Sequence, residues 1–194
     1  MKSLNNFIVY LEKKFEDEIE TEGGLKLYVD TKFEPFKNRV NEGEVVAVPA
    51  KHKTGVEEGD TLYFHHLVVM ADAQPLPVDD NHFVVHYHPD HAISSQAFAY
   101  KSKRTGKISA LSSWSILSHV EQKPEASSSS IQIVKLKEPQ VKTAKVAFEN
   151  KKLKDLGVKK GDVVGVKKDS DYSFKIDGET FYRTRLDDIY YVEA

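Results

Sequence analysis

Apolar residues in this chain fall in short runs rich in Val, Ile, Phe and Tyr, broken every few positions by Gly, Asp, Asn or Pro. Runs of that composition, bounded by turn formers, read as strands. They predict strands at Val9–Leu11, Glu44–Val48, Thr61–Phe64, Phe83–His86, Ile131–Leu136, Lys145–Phe148, Asp162–Val166 and Phe181–Arg183. No segment sustains a helical apolar period for three turns, so an almost entirely β chain is expected. Asp177-Gly178, between Phe174-Lys175-Ile176 and Thr180-Phe181-Tyr182, predicts a type I′ hairpin.

The pattern repeats. Val56-Glu57-Glu58-Gly59-Asp60-Thr61-Leu62-Tyr63-Phe64 recurs as Val158-Lys159-Lys160-Gly161-Asp162-Val163-Val164-Gly165-Val166. A matching apolar strand precedes each copy, Val46-Ala47-Val48 and Val146-Ala147-Phe148. Upstream, Phe7-Ile8-Val9-Tyr10-Leu11 pairs with Ile131–Leu136, and each half closes on an apolar run, Ile116–Glu121 and Ile189–Glu193. Four matched elements in one order predict two copies of one small fold. The expectation is an all-β chain of two small β-barrels or partial barrels.

Composition bounds the rest. The chain has 194 residues, no cysteine and a formal net charge of −2. Disulfides and thiolate metal sites are therefore excluded. Residues 1–130 hold 14 Lys+Arg against 19 Asp+Glu, a balance of −5, and residues 131–194 hold 14 against 11, a balance of +3. Neither imbalance implies nucleic acid, since the second-half lysines form no stripe. No apolar run approaches the ~20 residues of a membrane span. Met1–Asn6 lacks the features of a secretory signal, so a cytoplasmic protein is expected. Residues 122–130, with Pro124 and the run Ser127–Ser130, predict a linker.

Taken in order, Ile8–Tyr10, Gly23-Gly24-Leu25-Lys26-Leu27, Gly43–Val48, Val56–Phe64, Ile116–Glu121 and the final Ile189–Ala194 resemble the GroES-type co-chaperonins. The resemblance spans both halves and implies two GroES-like small β-barrels in tandem. The first, residues 1–121, would be enlarged by an insertion at 65–115. The second, 131–194, would carry no mobile loop, since only Glu138–Lys142 separates its first two expected strands. In that family the subunits form a ring that caps a chaperonin, each reaching it through a mobile loop. The resemblance implies a loop at 16–38 with Gly23, Gly24, Leu25, Lys26, Leu27 and Tyr28 at the contact. The implied partner is a nucleotide-bound chaperonin of the GroEL type, with a homo-oligomeric ring, no cofactor and no membrane or nucleic-acid partner. The residues suit that role. The acidic stretch Phe15–Glu22 is too charged to bury, Gly23-Gly24 frees the backbone, and two leucines and Tyr28 offer apolar area. The alternation Leu25, Leu27, Val29 equally fits an ordinary half-buried strand. Lys26 departs from the aliphatic residue the family places there.

Six of the eight histidines fall within 65–91. His86-Tyr87-His88, if in a strand, would set two imidazoles on one face, with His91 close behind. A metal-binding β-barrel organised by His86, His88 and His91 is therefore an alternative, as is a structural module reusing the fold. Phe98–Ile108 reads as a basic hairpin turning near Arg104-Thr105-Gly106. There is no Gly-x-Ser-x-Gly, no phosphate-binding Gly-rich loop and no thiol nucleophile, so an enzyme is not expected.

Overall fold

The computed structural model describes residues 1–15, 18–20, 24–28, 39–69, 76–77, 79–119, 141–148 and 150–193. The chain divides into two compact units, Met1–Ser113 and Trp114–Ala194. The first holds β1 (Phe7–Tyr10), β2 (Glu18–Glu20), β3 (Lys26–Tyr28), β4 (Glu42–Ala47), β5 (Thr61–Phe64), β6 (His82–Val85), β7 (Ala97–Lys101) and β8 (Ile108–Ala110). The second holds β9 (Trp114–His119), β10 (Val141–Val146), a one-turn helix α1 (Lys151–Asp155), β11 (Val163–Lys167), β12 (Tyr172–Ile176), β13 (Glu179–Arg185) and β14 (Ile189–Val192).

Each unit is built on one six-stranded antiparallel sheet, in the order β6-β1-β4-β5-β7-β8 and β12-β13-β9-β10-β11-β14. The all-β expectation holds. Neither sheet closes on itself through hydrogen bonds, since its first and last strands do not pair.

The repeat is visible atom by atom. Gly59 and Gly161 take φ of 87° and 98°, the left-handed region that glycine enters without strain. Their N–H groups donate to Val45 O and Val146 O, both at 2.8 Å. Val45 N and Val146 N donate in turn to Asp60 O and Asp162 O at 2.8 and 2.9 Å. The aspartates close the turns, Asp60 Oδ2 accepting Glu57 N at 2.9 Å and Asp162 Oδ2 accepting Lys159 N at 2.8 Å. These bonds align Val45 with Val146, one position off the match of Val46 to Val146 made from sequence. A one-residue slip would swap the faces of a strand. The corrected alignment puts buried valines together, at 1% and 2% exposure.

That register identifies the other counterparts. Val9 stands opposite Val45, and Leu117 opposite Val146. The counterpart of β1 is thus β9, whereas Ile131–Leu136 lies outside the described residues. Residues Ile116–His119, read from sequence as the closing strand of the first half, instead occupy the opening strand of the second unit. The expected linker 122–130 also lies outside the described residues, and in chain order it falls between β9 and β10. Residues 120–140 therefore join β9 to β10 as 11–41 join β1 to β4. Likewise β6 matches β13, since Val9 faces Phe83 and Leu117 faces Tyr182. β7 matches β14, each pairing with its neighbour across one irregularity at the same place, Tyr63/Phe64 and Gly165/Val166. The region 65–115 is therefore no simple insertion, because β6 and β7 belong to the shared five-stranded plan. β8 is the addition on one side and β12 on the other.

Both cores follow from this plan. Val9, Val45, Val56, Leu62 and Phe64 are buried in the first, and Leu117, Val146, Val158, Val164 and Val166 take the same places in the second. The hairpin at Asp177-Gly178 has φ of 51° and 83° at its two central residues and joins β12 to β13, as expected of a type I′ turn. The basic hairpin is present as β7–β8, its turn closed by Gly106 N donating to Ser102 O at 2.8 Å.

Candidate partner-binding hairpin

Of the residues singled out at 23–28, Lys26–Tyr28 form β3, which pairs with β2 in a two-stranded sheet separate from the six-stranded one, and Gly24 and Leu25 lead into it. Its register sets Glu18 opposite Tyr28, Ile19 opposite Leu27 and Glu20 opposite Lys26. Gly24 takes φ of 74°, and a Cβ added there would meet nothing within 4 Å. Gly23 lies outside the described residues, as does the rest of the expected loop at 16–17, 21–22 and 29–38.

Leu25–Leu27 does enter a strand, but it is not a half-buried one. Every residue of β3 is exposed. Leu25 is 62% exposed, Leu27 47% and Tyr28 78%. Strand alternation places Leu27 on the face opposite Lys26 and Tyr28. The Lys26 ammonium pairs with Glu18 Oε2 at 3.1 Å, which ties the cation to β2 rather than to the leucine side. An exposed pair of this kind contributes little to stability. Nor is an isolated two-stranded hairpin independently stable in water. The hairpin thus offers Leu25, Leu27 and Tyr28 as exposed apolar side chains.

The histidines do not converge. β6 ends at Val85, so His86 and His88 are not paired across one strand face. His86 N–H donates to Gln96 Oε1 at 2.9 Å. His88 Nδ1 accepts the backbone N–H groups of Asp90 and His91 at 3.3 and 3.2 Å, leaving its ring 4.6 Å from that of His91. His65 and His66 stack at 4.3 Å. His82 Nδ1 sits 2.7 Å from Asp79 Oδ1, and this hydrogen bond holds the Asp79 carboxyl below its ordinary range. Among the described residues no three His, Asp or Glu side chains gather in a metal-holding arrangement.

The second unit buries one cation that sequence reading did not single out. Arg183 lies with its guanidinium 4.0 Å from the ring centre of Trp114 and 4.7 Å from that of Tyr172. Burial pushes it down to about 10, so it stays charged at neutral pH, stabilised by the two π faces. Its place in the first unit is taken by Val84, opposite Ile8 as Arg183 is opposite Ile116. Nothing in a single sequence ties residues 114, 172 and 183 together before the register is known.

Among the described residues no helix is long and apolar enough to cross a membrane. A scan against protein-family models finds no match to this chain, and a search among curated proteins finds none.

Proposed function

We propose that this protein is a co-chaperonin that assembles into a ring and caps a nucleotide-bound chaperonin, the β2–β3 hairpin making the contact. The observation that carries this reading is the hairpin itself, a separate two-stranded sheet with Leu25, Leu27 and Tyr28 exposed. Supporting it is the order of elements that resembles the GroES-type co-chaperonins, in which the segment between the first strand and the Gly-Glu-Val-Val strand reaches the partner. Here that segment joins β1 to β4 and contains the hairpin. The two units would then be tandem versions of the small GroES-like barrel.

The energetics suit a reversible lid. A fully buried leucine contributes about 1.5–3 kcal/mol, so covering Leu25 and Leu27 from their present exposure adds roughly half of that each. Ordering the hairpin on binding offsets part of it. One such contact is weak, and a ring that presents several at once gains affinity by multivalency without any new contact.

The test is co-sedimentation with a chaperonin, with and without ATP, comparing wild type with Leu25→Asp plus Leu27→Asp. Nucleotide-dependent binding that the double variant loses supports the proposal. Wild type that stays in the supernatant with its cognate chaperonin overturns it.

A further inference from the structure

The second unit contains a cavity of about 430 Å³, framed by the end of β10, α1 and the turn that leads into β11. Small-molecule sites span about 300–1,000 Å³, and this cavity falls within that range. Its floor is apolar, made of Val146, Leu153 and Val158, all buried. Its rim is cationic, made of Lys154, Lys159 and Lys160, all exposed. Among the described residues no carboxylate pairs with these three ammonium groups.

The wall is held in place without a ligand. Asn150 is 4% exposed, and its Oδ1 accepts Lys152 N and Leu153 N at 2.8 and 3.2 Å. Its Nδ2 donates to Trp114 O, which ties α1 to β9 and keeps Leu153 on the floor. Lys160 Nζ lies 5.8 Å from the ring centre of Phe148, and that ring lies 5.0 Å from Phe181. The aromatic face keeps this cation at the cavity edge. The first unit shows which of these features the shared fold requires. Val45 and Val56 stand there for Val146 and Val158, but Glu57-Glu58 stand for Lys159-Lys160. Five residues before Val56 the chain has exposed Lys51, where Leu153 stands five before Val158, and no helix forms between β4 and β5. The turn itself is closed by the same aspartate bond in both copies, so it requires neither the lysines nor the leucine. The second unit has added an apolar wall and reversed the charge beside it.

We propose that this cavity binds a small amphipathic anion, an apolar chain with one anionic head, of which a fatty carboxylate is the simplest member. The tail lies on Val146, Leu153 and Val158, and the head sits among the lysines. Charge complementarity selects the head, since the rim carries three cations and no anion. The floor selects the tail, because a bare acetate or inorganic phosphate would leave the apolar side chains uncovered. Lysine acts as a point charge rather than a planar fork, so the rim sets the sign of the head and not its shape. The site lies within residues 146–160, away from the β2–β3 hairpin in sequence and in the other unit, and it does not rest on the lid reading. With Glu57-Glu58 in place of the lysines, the first unit does not share it.

The test is titration calorimetry of the full chain with decanoate at neutral pH, with acetate as the head alone and decan-1-ol as the uncharged tail. The expected result is one decanoate per chain, no detectable acetate binding, and decanol weaker by about tenfold or more. Lys159→Glu plus Lys160→Glu restores the residues of the first unit and turns two attractions into two repulsions. It is expected to weaken decanoate by about tenfold or more, and added salt should weaken the wild type. Lys167→Glu plus Lys175→Glu makes the same charge change at exposed lysines outside the cavity, and it should bind as wild type does. Far-UV circular dichroism checks that each variant is folded. If the Lys159 and Lys160 pair unfolds, Lys154→Glu, on the helix side of the rim, decides the outcome. Wild type that does not bind decanoate overturns the proposal, as does a folded Lys159 and Lys160 pair that binds it unchanged. Equal losses in the two lysine pairs overturn it too, because the effect would then be one of overall charge. Decanol binding as tightly as decanoate would remove the role given to the rim.

Discussion

Gly165 and Tyr191 give the sharpest test of the duplicated plan. The pair corresponds to Tyr63 and Ala99 in the first unit, so the large ring has changed strands between the copies. Tyr63 is 1% exposed, and in the second unit the ring of Tyr191 lies directly over Gly165, where a Cβ would overlap its atoms. Two effects then compete in Gly165→Ala. Removing a glycine from a strand gains about 0.5–1 kcal/mol of backbone entropy. Forcing a methyl under the ring costs about 1–3 kcal/mol, with the low end favoured because Tyr191 is 45% exposed and can swing outward. The net for Gly165→Ala is a destabilisation of up to about 1 kcal/mol, a fall of at most roughly 4–8 °C in the midpoint of a unit this size. In a Tyr191→Ala background the overlap is gone and the same substitution stabilises, by about 0.5–1 kcal/mol. Thermal unfolding of wild type, both single variants and the double variant measures this coupling. Gly165→Ala having the same sign in both backgrounds would refute the reasoning.

Further expectations concern the turns and the connectors. Asp60→Ala strands both Glu57 N and Lys103 N, whose bonds to the Asp60 carboxylate are 2.9 and 2.8 Å, while Asp162→Ala strands only Lys159 N. A hydrogen bond of this kind has a net worth of about 0.5–1.5 kcal/mol, so Asp60→Ala should exceed Asp162→Ala by about that much in urea unfolding; equal losses would count against the role given to Lys103. Trp114→Ala removes a buried ring and one π face from Arg183, and about 3 kcal/mol or more is expected, against a change of under about 1 kcal/mol for Arg183→Met, which trades a desolvated charge for apolar volume. Residues 120–140 join β9 to β10 as 11–41 join β1 to β4, and they contain Ser129-Ser130-Ile131-Gln132-Ile133, small-small-apolar-polar-apolar like Gly23-Gly24-Leu25-Lys26-Leu27. Ile131→Asp plus Ile133→Asp is therefore expected to weaken chaperonin co-sedimentation much as the Leu25 and Leu27 pair does, and unchanged binding would confine the contact to the first unit.

Much of the fold was legible because it is written in local chemistry. The Gly-Asp turns, the Asp177-Gly178 hairpin and the β7–β8 hairpin each depend on residues a few positions apart, where a positive φ or a side-chain cap leaves a sequence signature. Strand pairing does not. The identity of β9 as the counterpart of β1 rests on Leu117 facing Val146 across a connector of more than twenty residues, and a Ser-rich stretch inside that connector reads as a boundary between domains. The one-residue offset at Val45 and Val146 was equally hidden, because Val-Val-Ala-Val offers two alignments and only the hydrogen bonds choose between them. For the candidate site, composition shows Leu25, Leu27 and Tyr28 as apolar residues beside an acidic stretch. It could not say whether their strand was buried, because alternation is the same on a covered and an uncovered hairpin. The histidine spacing suggested a shared face only on the assumption of a strand, and the strand ends at Val85.

The most direct measurement is amide hydrogen exchange across residues 18–28 in the presence of a chaperonin, with and without ATP. Fast exchange in the free protein, with protection of the β2–β3 hairpin only when nucleotide-bound chaperonin is added, is the predicted result. Unchanged exchange across 18–28 under conditions where the chaperonin binds would contradict the account, because the contact would then lie elsewhere on the chain.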